Sequence, residues 1–129
     1  MEWVTTARAL CEQTGRLEVC DSSIGQVFAH SPKASDNSWP CIPVRDVIEE
    51  VASEELIRGF QVGIFNKRGV YKKSLAEGGA QERARAQQYA AYADACAIEW
   101  PRTAAALRRV AQQYEKEARR ADEEVQERS

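Results

Sequence analysis

Residues Ala80 to Arg128, AQERARAQQYAAYADACAIEWPRTAAALRRVAQQYEKEARRADEEVQER, decide the fold. Beyond Pro101, the residues Ala104, Leu107, Ala111, Tyr114, Ala118, Ala121 and Val125 recur at alternating steps of three and four, which lines one helix face with apolar side chains. Ahead of it, Ala86, Tyr89, Ala93, Cys96 and Trp100 step in the same way, after a flexible Gly78-Gly79 and a first turn holding Gln81 and Glu82. Pro101 removes a backbone donor and disfavours helical geometry at Trp100, so the chain turns back. Two helices, Ala80–Glu99 and Arg102–Arg128, then bury both apolar faces as an antiparallel pair, with alanines allowing close approach. Tyr89, Tyr92, Leu107, Val110 and Tyr114 supply the bulk that alanine lacks.

Upstream, Pro43 suits a first helical turn and Val44, Val47, Ile48 and Val51 form a buried stripe. Ser53 can cap a new turn, Glu54 and Glu55 suit the positive end of a helix, and Leu56, Ile57, Phe60 and Ile64 carry the stripe onward. Gly59 and Gly63 stand four apart and leave room for another backbone. Asn66-Lys67-Arg68-Gly69 reads as the helix end, with Gly69 as its left-handed residue, and Val70 to Leu75 as extended or coiled.

The first 42 residues are less regular. Glu2 to Thr14 supports a helix with Trp3, Ala7, Leu10 and Cys11 on one face, Trp3 packed inward, and Gly15 as its left-handed stop. Arg16 to Cys20 alternates, with Leu17 and Val19 on one side, and Gln26 to His30 is β-prone, so the two can pair as a short hairpin; a helical reading of Ser22 to His30 is nearly as good. Ser31 to Pro43 holds three prolines among Ser, Asp and Asn and is the clearest linker. Its Trp39 is expected to tuck back over the core. The expected fold is a mainly α single domain over residues 1–129. It comprises an N-terminal helix with an irregular or β-hairpin segment and linker (1–42), central helices (43–66), a basic loop (67–79) and the helical hairpin (80–129).

With 129 residues and 43% apolar content, the chain can bury a core without staples. Its apolar runs are too short to cross a bilayer, so no membrane partner is expected. Met1-Glu2-Trp3-Val4 lacks the basic start and apolar centre of a secretory signal, which places the protein in the cytoplasm. Cys11, Cys20, Cys41 and Cys96 form no CxxC pair and read as small buried hydrophobes rather than disulfide partners or zinc ligands. The only histidine, His30, precedes a loop and reads as a surface imidazole. No GxxxxGK[ST] or GxGxxG occurs, and the adjacent carboxylates Glu49-Glu50 and Glu54-Glu55 point to different sides of a helix. No enzyme, cofactor or metal site is expected.

Charge is unevenly spread. Residues 1–66 carry five basic and ten acidic side chains, and residues 67–109 carry nine basic and four acidic. Within the positive zone, Lys67, Arg68, Tyr71, Lys72 and Lys73 group four cations around a tyrosine, a composition that can hold phosphates while the ring stacks on a base. Arg108 and Arg109 extend that face, with Arg83, Arg85 and Arg102 nearby. A solvated loop kept polar by its lysines is the plainer reading of the same residues.

The segments GIFNKRGV (63–70), GGAQER (78–83), WPRTAAALRRVAQQYEKEA (100–118) and ADEE (121–124) resemble a helical module at the C-terminal ends of larger, uncharacterised bacterial proteins. The resemblance implies a bacterial or mobile-element origin and a partner-facing role, with no chemistry attached. The helix pair also resembles a single tetratricopeptide unit, but no second copy occurs at a fixed period. The expected function is therefore a non-catalytic interaction module or accessory subunit. It would bind another protein or a second copy of itself through Tyr89, Tyr92, Leu107, Val110 and Tyr114. The alternative is a nucleic-acid contact through the basic loop.

Overall fold

The computed structural model describes residues 1–68 and 78–128. The protein is mainly α: α1 (Glu2–Gln13), α2 (Leu17–Phe28), α3 (Ile42–Val51), α4 (Glu54–Arg68), α5 (Ala80–Cys96) and α6 (Pro101–Arg128). Among the described residues no helix is long and apolar enough to cross a membrane.

The segment read as a β-hairpin is helix α2, with no strand among the described residues. Its buried residues, Asp21, Ile24, Gly25 and Phe28, follow the three-and-four helical spacing, whereas Val19 and Val27 are exposed. The Leu17/Val19 alternation is therefore incidental. α1 is turned by about one residue from the expected face: Val4 is buried, while Trp3 and Leu10 are 48% and 59% exposed. The Trp3 ring still meets Phe28 edge-on at 6.1 Å. Gly15 closes α1 at φ 71°, and Arg8 ties α1 to the buried Asp21 carboxylate of α2 through bonds of 2.8 and 3.1 Å.

α2 and α4 pack backbone against backbone. A Cβ on Gly25 would overlap the Leu56 carbonyl, and one on Gly59 would overlap that of Ser22. A Cβ on Gly63 would stand 2.7 Å from the Ala29 methyl. The close approach buries Leu56, Phe60 and Ile64 completely or nearly so; each such side chain stabilises the fold by about 1.5–3 kcal/mol relative to exposure. α4 begins where the left-handed Ala52 (φ 52°) stops α3, and the Ser53 hydroxyl caps it by accepting from the Leu56 amide at 3.2 Å.

Residues 29–41 fold inward around Trp39. Its indole N–H donates to the Ser31 carbonyl at 2.7 Å, and its ring stacks on Phe60 of α4 at 5.4 Å. The same ring meets Tyr89 and Tyr92 of α5 at 6.0 Å each. Tyr89 stacks on Tyr114 of α6 at 6.0 Å, and Tyr114 meets Phe65 of α4 at 5.0 Å. An aromatic cluster thus joins the linker, α4, α5 and α6 at the centre of the core.

α5 and α6 lie side by side, with Gly79 against Ala118 and Asp122, Arg83 bonded to Asp122, and Asp94 opposite Arg108. Residue numbers rise along one helix as they fall along the other. The buried side of α6 is broader than one seam: Thr103, Ala106 and Val110 are buried beside Ala104, Leu107, Ala111, Tyr114 and Ala118. The extra row exists because α3 and α4 also pack on α6.

Candidate functional site

The structure separates the residues expected to meet partners. Tyr89, Leu107, Val110 and Tyr114 are 4%, 0%, 1% and 1% exposed, and Tyr92 is half-buried against Trp39 and Tyr89. The first four belong to the internal core, because α6 is covered from two sides, and they offer no anchor to a partner. Burial pushes the Tyr89 hydroxyl up to about 12, with Tyr114 adding to the shift.

Of the expected basic loop's candidate residues, Lys67 alone has its side chain among the described residues. Lys67 donates to the Ala29 carbonyl at 2.9 Å and lies 4.5 Å from the centre of the Trp39 ring. Burial, and secondarily Arg85, lowers its pKa. Its ammonium is a fastening between the ends of α4 and α2 rather than a free phosphate contact. The Arg68 side chain, Tyr71, Lys72 and Lys73 lie outside the described residues, as do Gly69 and the rest of Val70 to Leu75. Arg108 is exposed, 3.7 Å from Asp94. Arg109 points elsewhere, into a groove.

That groove runs between α4 and α6. Its first part, about 310 Å³, is lined by Glu54, Ile57, Arg58, Gln61, Arg102, Ala105, Ala106 and Arg109. A second part continues past Arg58, Gln61 and Arg109 to Val62, Phe65, Gln113 and Glu117. Helical spacing makes the lining: Glu54, Ile57, Arg58, Gln61, Val62 and Phe65 recur along α4, and Arg102, Ala105, Ala106, Arg109 and Gln113 along α6. Both helices enter at the same end, with Glu54 and Arg102 there and the Phe65–Tyr114 contact farther along. Gln61 spans the floor, donating to the Ala106 carbonyl at 3.2 Å.

Arg58, Arg102 and Arg109 are exposed and have no ion pair or hydrogen bond among the described residues. Three guanidinium groups, unpaired among the described residues, line the first part of the groove with one carboxylate, Glu54, which makes it anion-attracting. The second part exposes Val62 at 43% beside half-buried Phe65. Arg58 was not singled out from the sequence. Its signal was its place on the same α4 stripe as Gln61, Val62 and Phe65, opposite the buried Leu56 and Phe60.

A further arginine, Arg45, is structural. Arg45 is fully buried; its Nε donates to the Pro40 carbonyl at 2.6 Å, its Nη2 donates to Ser38 Oγ, and its guanidinium lies 4.7 Å from the Trp100 ring centre. Asp36, 3.7 Å away, is held low by hydrogen bonds from the Ser38 hydroxyl and amide, and then by Arg45. Trp100 Nε1 donates to Asp46 at 2.8 Å, and the Thr103 amide donates to Glu49 at 2.8 Å, so carboxylates of α3 cap the start of α6. The Cys96 thiol is fully buried, and that burial pushes its pKa up, the opposite of what a nucleophile needs. His30 is exposed at the end of α2. Among the described residues no His, Cys, Asp and Glu side chains group as metal ligands.

No protein-family model, no curated protein and no solved structure matches the chain.

Proposed function

We propose that this chain is a non-catalytic interaction module, an accessory subunit that binds another protein through the flank of its C-terminal helical hairpin. The observation that supports this reading is the side of α6 turned towards α4 and solvent. There Arg58, Arg102 and Arg109, unpaired among the described residues, stand beside exposed Val62. A patch with a small apolar centre and a guanidinium rim has the composition of a protein contact surface. The tyrosines of the hairpin serve this role indirectly, by holding α4, α5 and α6 in register. The resemblance of residues 63–124 to the ends of larger bacterial proteins suggests a bacterial or mobile-element assembly as the setting.

Site-specific photocrosslinking tests the reading. A crosslinker at Gln113, which lines the groove, is expected to capture a discrete partner from the cell of origin, whereas one at Gln88, on exposed α5, captures none. A chain that is monomeric by light scattering at two concentrations, and that yields no adduct from Gln113, overturns it. The runner-up is a nucleic-acid contact, favoured by the exposure of Arg108 and Arg109. It requires affinity that falls steeply as salt rises.

A further inference from the structure

The groove between α4 and α6 has a more specific shape than a general contact surface. Arg102 lies in its first part with Glu54, Arg58 and Arg109 line both parts, and exposed Val62 and half-buried Phe65 follow in the second. From Glu54 to Phe65 the α4 wall is about 16 Å long at 1.5 Å per residue, which matches three turns of a facing helix or about five residues of extended chain. We propose that this groove receives a short acidic amphipathic segment of a partner protein, with its carboxylates on Arg58, Arg102 and Arg109 and its apolar side chains on Val62 and Phe65. The inference rests on the reading of the chain as an interaction module and names the chemistry of its partner.

Three observations select a peptide carboxylate over a phosphodiester. A nucleic-acid strand carries charge at every step, whereas the second part of the groove is lined by apolar Val62 and Phe65. Phe65 is already packed against Tyr114 at 5.0 Å and half-buried, so it is not a free platform for a base to stack on. Val62 gains nothing from a phosphate but is covered by an aliphatic side chain one or two helical turns from an acidic one. Guanidinium groups, in turn, hold carboxylates through paired N–H donors, a geometry that three converging arginines can offer at more than one angle. The Gln61 to Ala106 bond closes the floor, so the occupant lies along the groove and does not insert between the helices.

The test uses the full chain and fluorescence anisotropy with a labelled twelve-residue peptide, about three helical turns, bearing glutamates on one stripe and leucines on the adjoining one. Binding is expected, and the triple variant R58E/R102E/R109E should weaken it by about tenfold or more. Val62→Asp should weaken it by a similar factor while leaving the circular dichroism of the chain unchanged. Equal binding to the wild type and the triple variant overturns the proposal. So does equal or tighter binding of an all-glutamate peptide or a thymidine oligonucleotide. Concentration-dependent dimerisation that the triple variant abolishes would assign the groove to a second copy and also overturns it. A partner captured from Gln113, with no peptide binding, removes the acidic segment but leaves the interaction module standing. Loss of both removes the module as well.

Discussion

α2 and α4 meet backbone to backbone, and α5 and α6, beyond the close contact of Gly79 with Ala118 at one end, meet side chain to side chain. In the first pair Gly25, Gly59 and Gly63 bring main chains together until no Cβ fits. In the second, Ala86, Ala93, Ala104, Ala111 and Ala118 set the spacing while Tyr89, Leu107 and Tyr114 fill it. One contact is damaged by adding atoms and the other by taking them away. Trp39 touches both, stacking on Phe60 of α4 and meeting Tyr89 of α5 edge-on, so damage to either pair reaches the other through one indole.

The largest effect comes from emptying the tyrosine seam. Tyr114→Ala removes a ring packed against Tyr89 and Phe65 and should cost about 3–5 kcal/mol, read as a lowered midpoint in urea unfolding. Gly59→Ala is the opposite experiment. On a free helix the change would stabilise by about 1 kcal/mol, but here the methyl meets the Ser22 carbonyl and the expected result is a loss of about 1–3 kcal/mol. A Gly59→Ala protein that unfolds at higher urea than the wild type would show that the backbone contact is not the source of stability.

Alkaline titration probes the second pair through Tyr89. The Tyr89 hydroxyl is raised from about 10 to about 12 by burial, so its contribution is intact below pH 10 and declines as pH climbs from about 10 through about 12, where the unfolded state loses its proton first. In the alkaline limit that loss is at most roughly 3 kcal/mol. Tyr89→Phe should flatten the stability profile across that range; an unchanged slope would mean that another group titrates. The smallest effect is Ser53→Ala, which removes the cap from α4 and should cost about 1 kcal/mol without disturbing α5 or α6.

The helical spacing of residues 80–128 was plain in the sequence because alanine-rich, proline-punctuated segments state their periodicity without competing signals. The close approach at Gly59 and Gly63 was also visible, as two absent side chains one turn apart on an otherwise apolar stripe. α2 was visible only as one of two readings of Ser22 to His30, because Gly25 weakens its helical signal for a reason located in α4, and β-prone Val19 and Val27 turn out to face solvent. The tyrosines were correctly seen as bulky, but one helix's periodicity cannot say how many neighbours share its buried side. Thr103, Ala106 and Val110 answer to α3 and α4, which are distant in sequence. The groove was legible only in halves: Arg102 and Arg109 lie on α6, Arg58 lies on α4, and nothing local marks them as neighbours.

Trp39 also makes the protein its own optical probe. Trp3 is half exposed and Trp100 partly so, whereas Trp39 is 5% exposed, with Lys67 near its ring face and a tyrosine edge beside it. Replacing Trp3 and Trp100 with phenylalanine would leave a single emitter at the junction of the linker, α4 and α5. Its emission wavelength would report, without a label, the moment at which both helix pairs close around the same ring.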